Sequence, residues 1–297
     1  MIDFIRVHYR DKNKLEQFIL NPEQFQKTYS VLEINSGEVL YPFKTNLKNM
    51  EIVVNDKHGY VKNSIHKLNN VILENSEHNH NDFSYSQLCS MIDFLSNNVI
   101  DVSSMKLTQL EFGLNLKITM SAEELISGSI LMHNFERHSS VKEFRGAGYM
   151  LMFEHYNYII KIYDKAKQYN IKNQNILRFE IKFLSQKEFN PLGVYNINDL
   201  KNKQVLESLL HYLLKRFDEL IIVDDFSNLD ITQSDFEKLN MYSSFSFWEK
   251  FRKADKRQLK SNHKKKYLSL LQKHNLLTTK TLLKDKIVEK FNYLITH

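Results

Sequence analysis

The chain has 297 residues and a net charge of +6, and 42% of its residues are hydrophobic, which is enough to form a substantial core. Its single cysteine, Cys89, excludes an internal disulfide and fits a reducing cytoplasm. No apolar run approaches the roughly 20 residues of a membrane span, and the first residues lack the features of a signal peptide, so we predict a cytoplasmic protein with no membrane partner.

Apolar and polar residues alternate in short segments near the start of the chain, which predicts strands. These segments are DFIRVHY, SVLEIN and EVLYPF on either side of a turn at Ser36-Gly37, MEIVVN and YVKNSIHKL. A polar loop, ENSEHNHNDF, precedes a helix predicted from about Ser84. The segment KLTQLEFGLNLKI is the clearest half-buried strand, because its leucines and Phe112 fall on one face.

The capping sequence SAEE predicts a helix from Ser121 to near His138. The segments YMLMFEH and YNYIIKIYDK then predict a hairpin, and ILRFEIKF predicts a further strand. An amphipathic helix over 199–219 and a short strand at LIIVDD come next, and the rest reads as helix. We therefore predict an α+β fold, with a central antiparallel sheet and helices on one face over residues 1–226, followed by an all-α basic region over 227–297.

Three of the predicted strands each present a polar face. The residues on these faces are Glu111 on the first strand, Lys161, Tyr163 and Lys165 on the second, and Arg178, Glu180 and Lys182 on the third. If the three strands share one sheet, two carboxylates, a tyrosine and several cations meet on one surface. The pattern leaves two interpretations open, because an antiparallel sheet also commonly has a solvated face.

This combination of residues suits phosphodiester chemistry. Glu111 and Glu180 are suitable ligands for Mg²⁺ or Mn²⁺, which prefer oxygen donors. A tyrosine phenolate can attack phosphorus and form a covalent intermediate. The cations expected to favour the phenolate are Lys161, Lys165 and Lys167.

The same segments resemble a known family. The order QLEFGLNL, YIIKIYDKAKQY and ILRFEIKF is similar to that in rolling-circle replication initiators of small bacterial plasmids and single-stranded DNA phages, in the group that includes the filamentous-phage nickase. The resemblance extends from about Val53 to Leu200. It implies a site-specific endonuclease and strand transferase, acting in the bacterial cytoplasm, that nicks a replication origin through a 5′-phosphotyrosyl intermediate.

The resemblance also implies roles for individual residues. Tyr163 in KIYDK would be the nucleophile, Glu111 and Glu180 would bind Mg²⁺ or Mn²⁺, and Lys165 or Lys167 would support the phosphate or the phenolate. The implied partner is origin DNA, single-stranded or as a hairpin, and a host helicase or polymerase is a further candidate.

Two features depart from the pattern of that family. Many rolling-circle nickases bind metal through two histidines that flank a bulky hydrophobic residue, whereas here Asn79 lies between His78 and His80 in a loop-like segment. Other tyrosines also lie near the proposed nucleophile, and they are Tyr149, Tyr156, Tyr158 and Tyr169.

The C-terminal region is rich in cations and aromatic residues. Nine Lys or Arg residues lie between positions 250 and 266, a density that suits DNA phosphates. With Lys161 and Arg178, the predicted DNA-binding residues are Lys250, Arg252, Lys253, Lys256, Arg257, Lys260, Lys264, Lys265 and Lys266. Aromatic residues such as Trp248 and Phe251 either stack on unpaired bases or anchor the tail to the core.

Two other functions remain open at this point. One is an initiator that binds its origin without cutting it, in which Glu111 and Glu180 would be dispensable. The other is an RNA-binding or structural protein, in which the basic tail would matter and Tyr163 would not.

Overall fold

The computed structural model describes residues 1–144, 147–251 and 256–297. The strands within these residues are β1 (Ile2–Tyr9), β2 (Tyr29–Leu32), β3 (Val39–Leu47), β4 (Met50–Val54), β5 (Gly59–Ser64), β6 (Lys106–Lys117), β7 (Ile130–His133), β8 (Ser140–Phe144), β9 (Ala147–Glu154), β10 (Tyr158–Asp164), β11 (Ile176–Phe183) and β12 (Leu220–Ile222). Ten of them form one sheet in the order β2-β3-β4-β5-β1-β6-β11-β10-β9-β8, and β7 pairs with β12. Neighbouring strands are antiparallel throughout.

Helices pack against the sheet and form most of the C-terminal region. They are α1 (Asn13–Ile19), α2 (Ile65–Glu74), α3 (Tyr85–Asn98), α4 (Ala122–Glu124), α5 (Lys165–Gln168), α6 (Gln186–Phe189), α7 (Lys203–Asp218), α8 (Gln233–Ser243), α9 (Phe245–Glu249), α10 (Arg257–Lys273) and α11 (Thr278–Thr296). Short 3₁₀ turns lie at Asn190–Leu192 and Ile197–Lys201.

The main core lies between the sheet and helices α3, α7 and α11. Alternate residues of β6 and β11 point into it, because successive side chains of a strand face opposite sides. Those residues are Leu110, Phe112, Leu114 and Leu116 on β6, and Leu177, Phe179, Ile181 and Phe183 on β11. Apolar residues at helical spacing, such as Leu206, Leu209 and Leu213 on α7, cover this surface. The other face of β6 and β11 is thereby left for polar residues.

A second hydrophobic cluster joins the C-terminal helices to the β7–β12 pair. Trp248 is 1% exposed there, and its indole N–H donates to the carbonyl of Tyr242 at 2.7 Å. Tyr267 of α10 is also fully buried, and its hydroxyl lies 2.8 Å from Ser243 Oγ. Trp248 also packs on Phe135 with ring centres 4.4 Å apart, so it anchors the tail to the rest of the protein, which is the second of the two roles considered above.

The predicted α+β class and the antiparallel sheet are confirmed, but two predicted elements are wrong. The helix expected over Ser121–His138 is limited to α4 and a π turn at Leu125–Ser129. The chain then forms β7, whose residue Ile130 packs in the main hydrophobic cluster and whose residue Met132 packs in a second one. The segment YVKNSIHKL is not one strand either, since the hydroxyl of Ser64 accepts from Lys67 N–H and starts α2.

The C-terminal helix α11 belongs to the same core as the sheet. Its residues Leu283, Ile287 and Phe291 pack in the main hydrophobic cluster, while α8, α9 and α10 contribute to the second. The division of the chain at residue 226 stays a prediction. In the described parts of the chain, no helix is both long enough and apolar enough to cross a membrane.

Candidate active site on the polar face of the sheet

The strand register brings the predicted site residues of three strands together. Lys161 of β10 is opposite Glu180 of β11, and Glu180 is opposite Gly113 of β6. A side chain at Gly113 would overlap Glu180, so the glycine leaves the space that this glutamate fills. Glu111 is two residues from Gly113 and is opposite Lys182, which places it on the same face.

A third carboxylate, that of Asp3, joins Glu111 and Glu180. The register of β1 shifts between Ile2 and Ile5, so that two residues of β1 oppose Glu111. This bulge turns Asp3 to the polar face, while Ile2 and Ile5 both remain in the core. All three carboxylates are buried, and one oxygen from each lies within 4.8 Å of the others.

Cationic side chains form ion pairs with Asp3, Glu111 and Glu180, which we call the acidic cluster. Lys161 Nζ bridges two of the carboxylates, at 2.9 Å from Glu111 Oε1 and 3.1 Å from Glu180 Oε1. Arg178 bridges the other pair, with Nε 2.5 Å from Glu180 Oε2 and Nη2 3.2 Å from Asp3 Oδ2. Lys161 and Arg178, which are predicted from the sequence to contact DNA, are thus paired with carboxylates, and Arg178 is 2% exposed.

The three carboxyl groups differ in their pKa values. Burial and the neighbouring Glu180 raise the pKa of Glu111 above its usual value. Burial also opposes the ionisation of Glu180 and Asp3, but Lys161 and Arg178 hold the pKa of Glu180 below its usual range, and Arg178 with Lys165 does the same for Asp3. Glu111 is therefore the carboxylate whose charge is least compensated.

The donor set of the acidic cluster is suited to a hard divalent cation. Three carboxylates at this separation provide the oxygen ligands that Mg²⁺ or Mn²⁺ prefers. The ammonium group of Lys161 lies between Glu111 and Glu180. A divalent ion held by these two glutamates would take the place of that ammonium group.

Next to the acidic cluster, Lys165 lies between two tyrosines. Its Nζ is 5.2 Å from the ring centre of Tyr163 and 5.1 Å from that of Tyr169. Lys165 Nζ and the Tyr169 hydroxyl each donate to Oδ1 of Asn79 at 2.6 Å, and the amide nitrogen of Asn79 donates to Asp3 Oδ2 at 2.6 Å. Asn79 therefore connects the lysine and a tyrosine to the acidic cluster.

Lys165 reaches this position from a short helix and not from the strand. β10 ends at Asp164, whose carboxylate accepts from Lys167 N–H and caps α5. Lys165 is the first residue of that helix and is 1% exposed. Burial and the charge of Arg178 lower its pKa from 10.5 to about 7. Lys167 forms an ion pair with Glu123 at the surface, outside the acidic cluster.

Tyr163 is buried against Met150 and Met152 of β9. Burial and the carboxylate of Glu180 raise the pKa of its hydroxyl well above 10. Neighbouring cations would favour the phenolate, as predicted from the sequence, but in this conformation burial and the acidic cluster outweigh them. Among the alternative tyrosines, Tyr156 is exposed and Tyr158 stacks on His155 at 4.5 Å.

His78 and His80 lie on the loop that borders this site. His78 Nε2 is 2.7 Å from Glu74 Oε2, and the two histidine rings are 4.3 Å apart. The ring of His80 is 5.1 Å from that of Tyr169, and its Nδ1 is buried with no hydrogen-bond partner within the described residues. The residue of this loop that enters the acidic cluster is Asn79, between them.

Most of the predicted basic residues of the tail are on or next to α10. Lys256, Arg257, Lys265 and Lys266 are exposed, and Lys260 is half-buried. Lys264 instead donates to Asn134 Oδ1 and covers the ring of Phe135 at 4.5 Å. Lys250 lies 5.8 Å from the ring centre of Phe247. Arg252 and Lys253 lie outside the described residues.

No protein-family model matches the chain, and no curated protein matches it. The chain is similar to a solved structure of a rolling circle replication initiator protein from Geobacillus stearothermophilus, with a TM-score of 0.41 and 11% sequence identity over 77% of this chain and 88% of that one. At this level the likeness assigns no activity and no site residue to the chain.

Three participants in the site are absent from the sequence prediction. Asp3 lies in a bulge of β1 that alternation does not reveal. Asn79 lies between His78 and His80, and of these three residues only the two histidines resemble metal ligands in the sequence. Asn115 lies on the predicted polar face of β6, and its Oδ1 accepts from Arg178 Nη1 at 2.9 Å.

Proposed function

We propose that the chain is a replication initiation protein that nicks and rejoins a single strand of origin DNA through a phosphotyrosyl intermediate. The observation that carries the proposal is the convergence of three buried carboxylates with a buried lysine flanked by two tyrosines. The resemblance of the segments around Glu111, Tyr163 and Glu180 to rolling-circle initiators supplies the reaction class.

In this proposal Asp3, Glu111 and Glu180 would hold Mg²⁺ or Mn²⁺. A cation bound there would polarise a non-bridging oxygen of the scissile phosphate and position the bond. The remaining chemistry falls to side chains of this protein. Release of Lys161 from the two glutamates would leave its ammonium group available to a DNA phosphate.

Lys165 is suited to accept the phenolic proton. With a pKa of about 7, a substantial fraction of its amine is neutral at neutral pH. The oxygen of Tyr163 would bond to phosphorus while the bond from phosphorus to the 3′-oxygen breaks. The proton taken up by Lys165 would then pass to that leaving oxygen, which departs as a 3′-hydroxyl. The reverse sequence rejoins the strand.

Tyr169 is a second candidate for the nucleophile. Its hydroxyl is hydrogen-bonded within the same network as Lys165, and it is half-buried, whereas Tyr163 is 5% exposed. Tyr163 has the support of the KIYDK motif, but its attack requires the surrounding side chains to open. Because of this motif Tyr163 is the proposed nucleophile, and the nicking assay below distinguishes it from Tyr169.

The C-terminal region over 227–297 is proposed as the part that holds duplex or hairpin DNA. Exposed cations on or next to α10 suit contacts with backbone phosphates. The residues to test are Lys256, Arg257, Lys260, Lys265 and Lys266.

The test is a nicking assay on the origin DNA of the encoding replicon, with Mg²⁺ or Mn²⁺. Wild type, Tyr163→Phe and Tyr169→Phe are compared on denaturing gels. We expect a metal-dependent covalent protein–DNA band that Tyr163→Phe abolishes. A band lost only in Tyr169→Phe moves the nucleophile to that residue. Tight origin binding with neither nick nor adduct in wild type rejects the enzymatic proposal in favour of an initiator that does not cut.

A further inference from the structure

Two adjoining cavities lie beside the candidate active site, where β6 ends against α11. The first has a volume of about 250 Å³, and its lining includes His80, Asn115, Lys117 and Lys290. The second, also of about 250 Å³, shares Lys117 and Lys290 and adds Lys286 and Tyr293. We call the surface formed by Lys117, Lys286, Lys290 and Tyr293 the α11 groove.

The first cavity is in contact with the candidate site through two residues. Asn115, in its wall, accepts a hydrogen bond from Arg178. His80, also in its wall, packs against the ring of Tyr169, and its buried Nδ1 has no partner in the described chain. The cavity therefore adjoins the network that contains Arg178 and Tyr169.

The charge of the α11 groove suits a polyanion. Lys286, Lys290 and Tyr293 share one face of α11, at spacings of four and three residues, and the exposed Lys117 lies opposite them. Within the ranges that the structure describes, Lys117 and Lys286 form no ion pair. Acidic residues are present too: Asp82 pairs with Lys290 at 3.0 Å, and Glu289 lines the second cavity.

We infer that the α11 groove binds the single-stranded DNA that flanks the scissile phosphate. The lysines contact successive phosphates, and the half-exposed ring of Tyr293 stacks on a base. The inference rests on the proposed function, because it takes the reacting strand to lie at Tyr163 and Tyr169.

The test is fluorescence anisotropy with a labelled oligothymidylate, titrated at several salt concentrations in EDTA so that no cleavage occurs. The double variant Lys117→Gln/Lys286→Gln is compared with Lys57→Gln/Lys187→Gln, which changes two exposed lysines elsewhere. We expect the groove variant to bind more weakly and to lower the slope of log K against log [salt] by about 1.4, since each lost phosphate contact contributes about 0.7. We expect the control variant to bind like wild type.

Two single variants test the chemistry of the groove in opposite directions. Tyr293→Leu removes the stacking surface and should weaken binding by roughly fivefold or more. Asp82→Asn releases Lys290 and should strengthen binding. Circular dichroism and thermal melting verify that each variant is folded.

The inference is overturned if the groove variant keeps the wild-type salt slope, or if duplex DNA competes better than the single strand for the groove. The experiments also distinguish a failure of this inference from a failure of the proposed nicking reaction. An adduct with unchanged binding in the groove variant rejects the groove alone, whereas groove-dependent binding without any adduct rejects the nicking reaction alone.

Discussion

Asp3 and Arg178 form a buried ion pair, with Nη2 of the arginine 3.2 Å from Oδ2 of the aspartate. They are 175 residues apart in the chain, and each has further partners in the acidic cluster. Asp3 also contacts Ser64 and Asn79, so its carboxylate connects β1, β5 and the 75–84 loop to β11.

Loss of the Asp3 carboxylate should therefore destabilise the fold as well as the candidate metal site. Asp3→Asn leaves Arg178 buried with one of its two anionic partners missing. Removing one partner of a buried ion pair typically costs about 3–5 kcal/mol, and we expect a loss of about 3 kcal/mol in the free energy of unfolding, measured with urea at pH 7.

The matched control is Asp101→Asn, which removes an exposed ion pair with Lys14. Exposed pairs contribute about 0–1 kcal/mol, so this variant should be nearly as stable as wild type. Equal stabilities of the two variants would contradict a structural role for the buried pair.

The sequence predicts most of the sheet because its strands alternate cleanly. Apolar residues such as Leu110 and Phe112 define the inner face of β6. Because Glu111 lies between them in the sequence, it must be on the outer face. Alternation defines the two faces of β10 and β11 in the same way, but it does not determine which strands pair. The sequence accordingly assigns Glu111, Glu180, Lys161 and Tyr163 to one surface on the condition that their strands share a sheet, and the structure fulfils this condition.

The remaining features of the site depend on interruptions of that alternation. The bulge in β1 and the helical turn after Asp164 each change the direction of a side chain by local backbone geometry. Lys165 was expected next to Tyr163 on a strand, yet it reaches a similar place from α5. Burial is also not readable from alternation, and it is burial that raises the pKa of Tyr163 and lowers that of Lys165.

Glu111→Gln should separate stability from metal binding. Burial and Glu180 raise the pKa of Glu111, so its ionised form is disfavoured in the folded protein relative to the unfolded chain. A neutral glutamine removes this cost, and we expect the unfolding midpoint at pH 7 to be equal to or above that of wild type. Mn²⁺ affinity, measured by isothermal titration calorimetry, should fall by at least about tenfold. Unchanged Mn²⁺ binding would exclude Glu111 as a ligand.

His66 should make the protein sensitive to acid. It stacks on Phe83 with ring centres 4.8 Å apart, and its Nε2 is 2.7 Å from Asn81 Oδ1. Burial lowers its pKa from 6.5 to about 3, with the charge of Asp3 opposing the shift and those of the Met1 amine and Arg178 adding to it. Between pH 6.5 and 3 the unfolded chain binds a proton that the folded chain does not, so stability falls as the pH falls.

The expected contribution of His66 is up to about 1.4 kcal/mol per pH unit in this window. The measurement is a series of urea unfolding curves from pH 7 to pH 4. His66→Gln should show a shallower loss of stability than wild type, while His211→Gln, which changes an exposed histidine, should follow the wild-type curve. Parallel losses in all three proteins would assign the acid sensitivity to other groups.

Lys165 should control the pH dependence of both stability and strand transfer. Its pKa in the folded protein is about 7, against 10.5 for a free lysine. Below pH 7 the ammonium group is buried in its charged form, which lowers the free energy of unfolding. Between pH 7 and 10.5 the unfolded chain holds a proton that the folded chain has lost, so this destabilisation decreases as the pH rises. Lys165→Met should therefore gain stability relative to wild type at pH 6, and the gain should shrink between pH 7 and 9.

The same titration should appear in the reaction if the neutral amine accepts the phenolic proton. The single-turnover rate of adduct formation in wild type should rise about tenfold per pH unit below pH 7 and level off above it. Lys165→Met should be slower and should lose the inflection near pH 7, whereas Lys187→Met, which changes an exposed lysine, should keep the full profile. An inflection that persists in Lys165→Met would show that another group accepts the proton, and Lys165 would then serve only to position Asn79 and the two tyrosines.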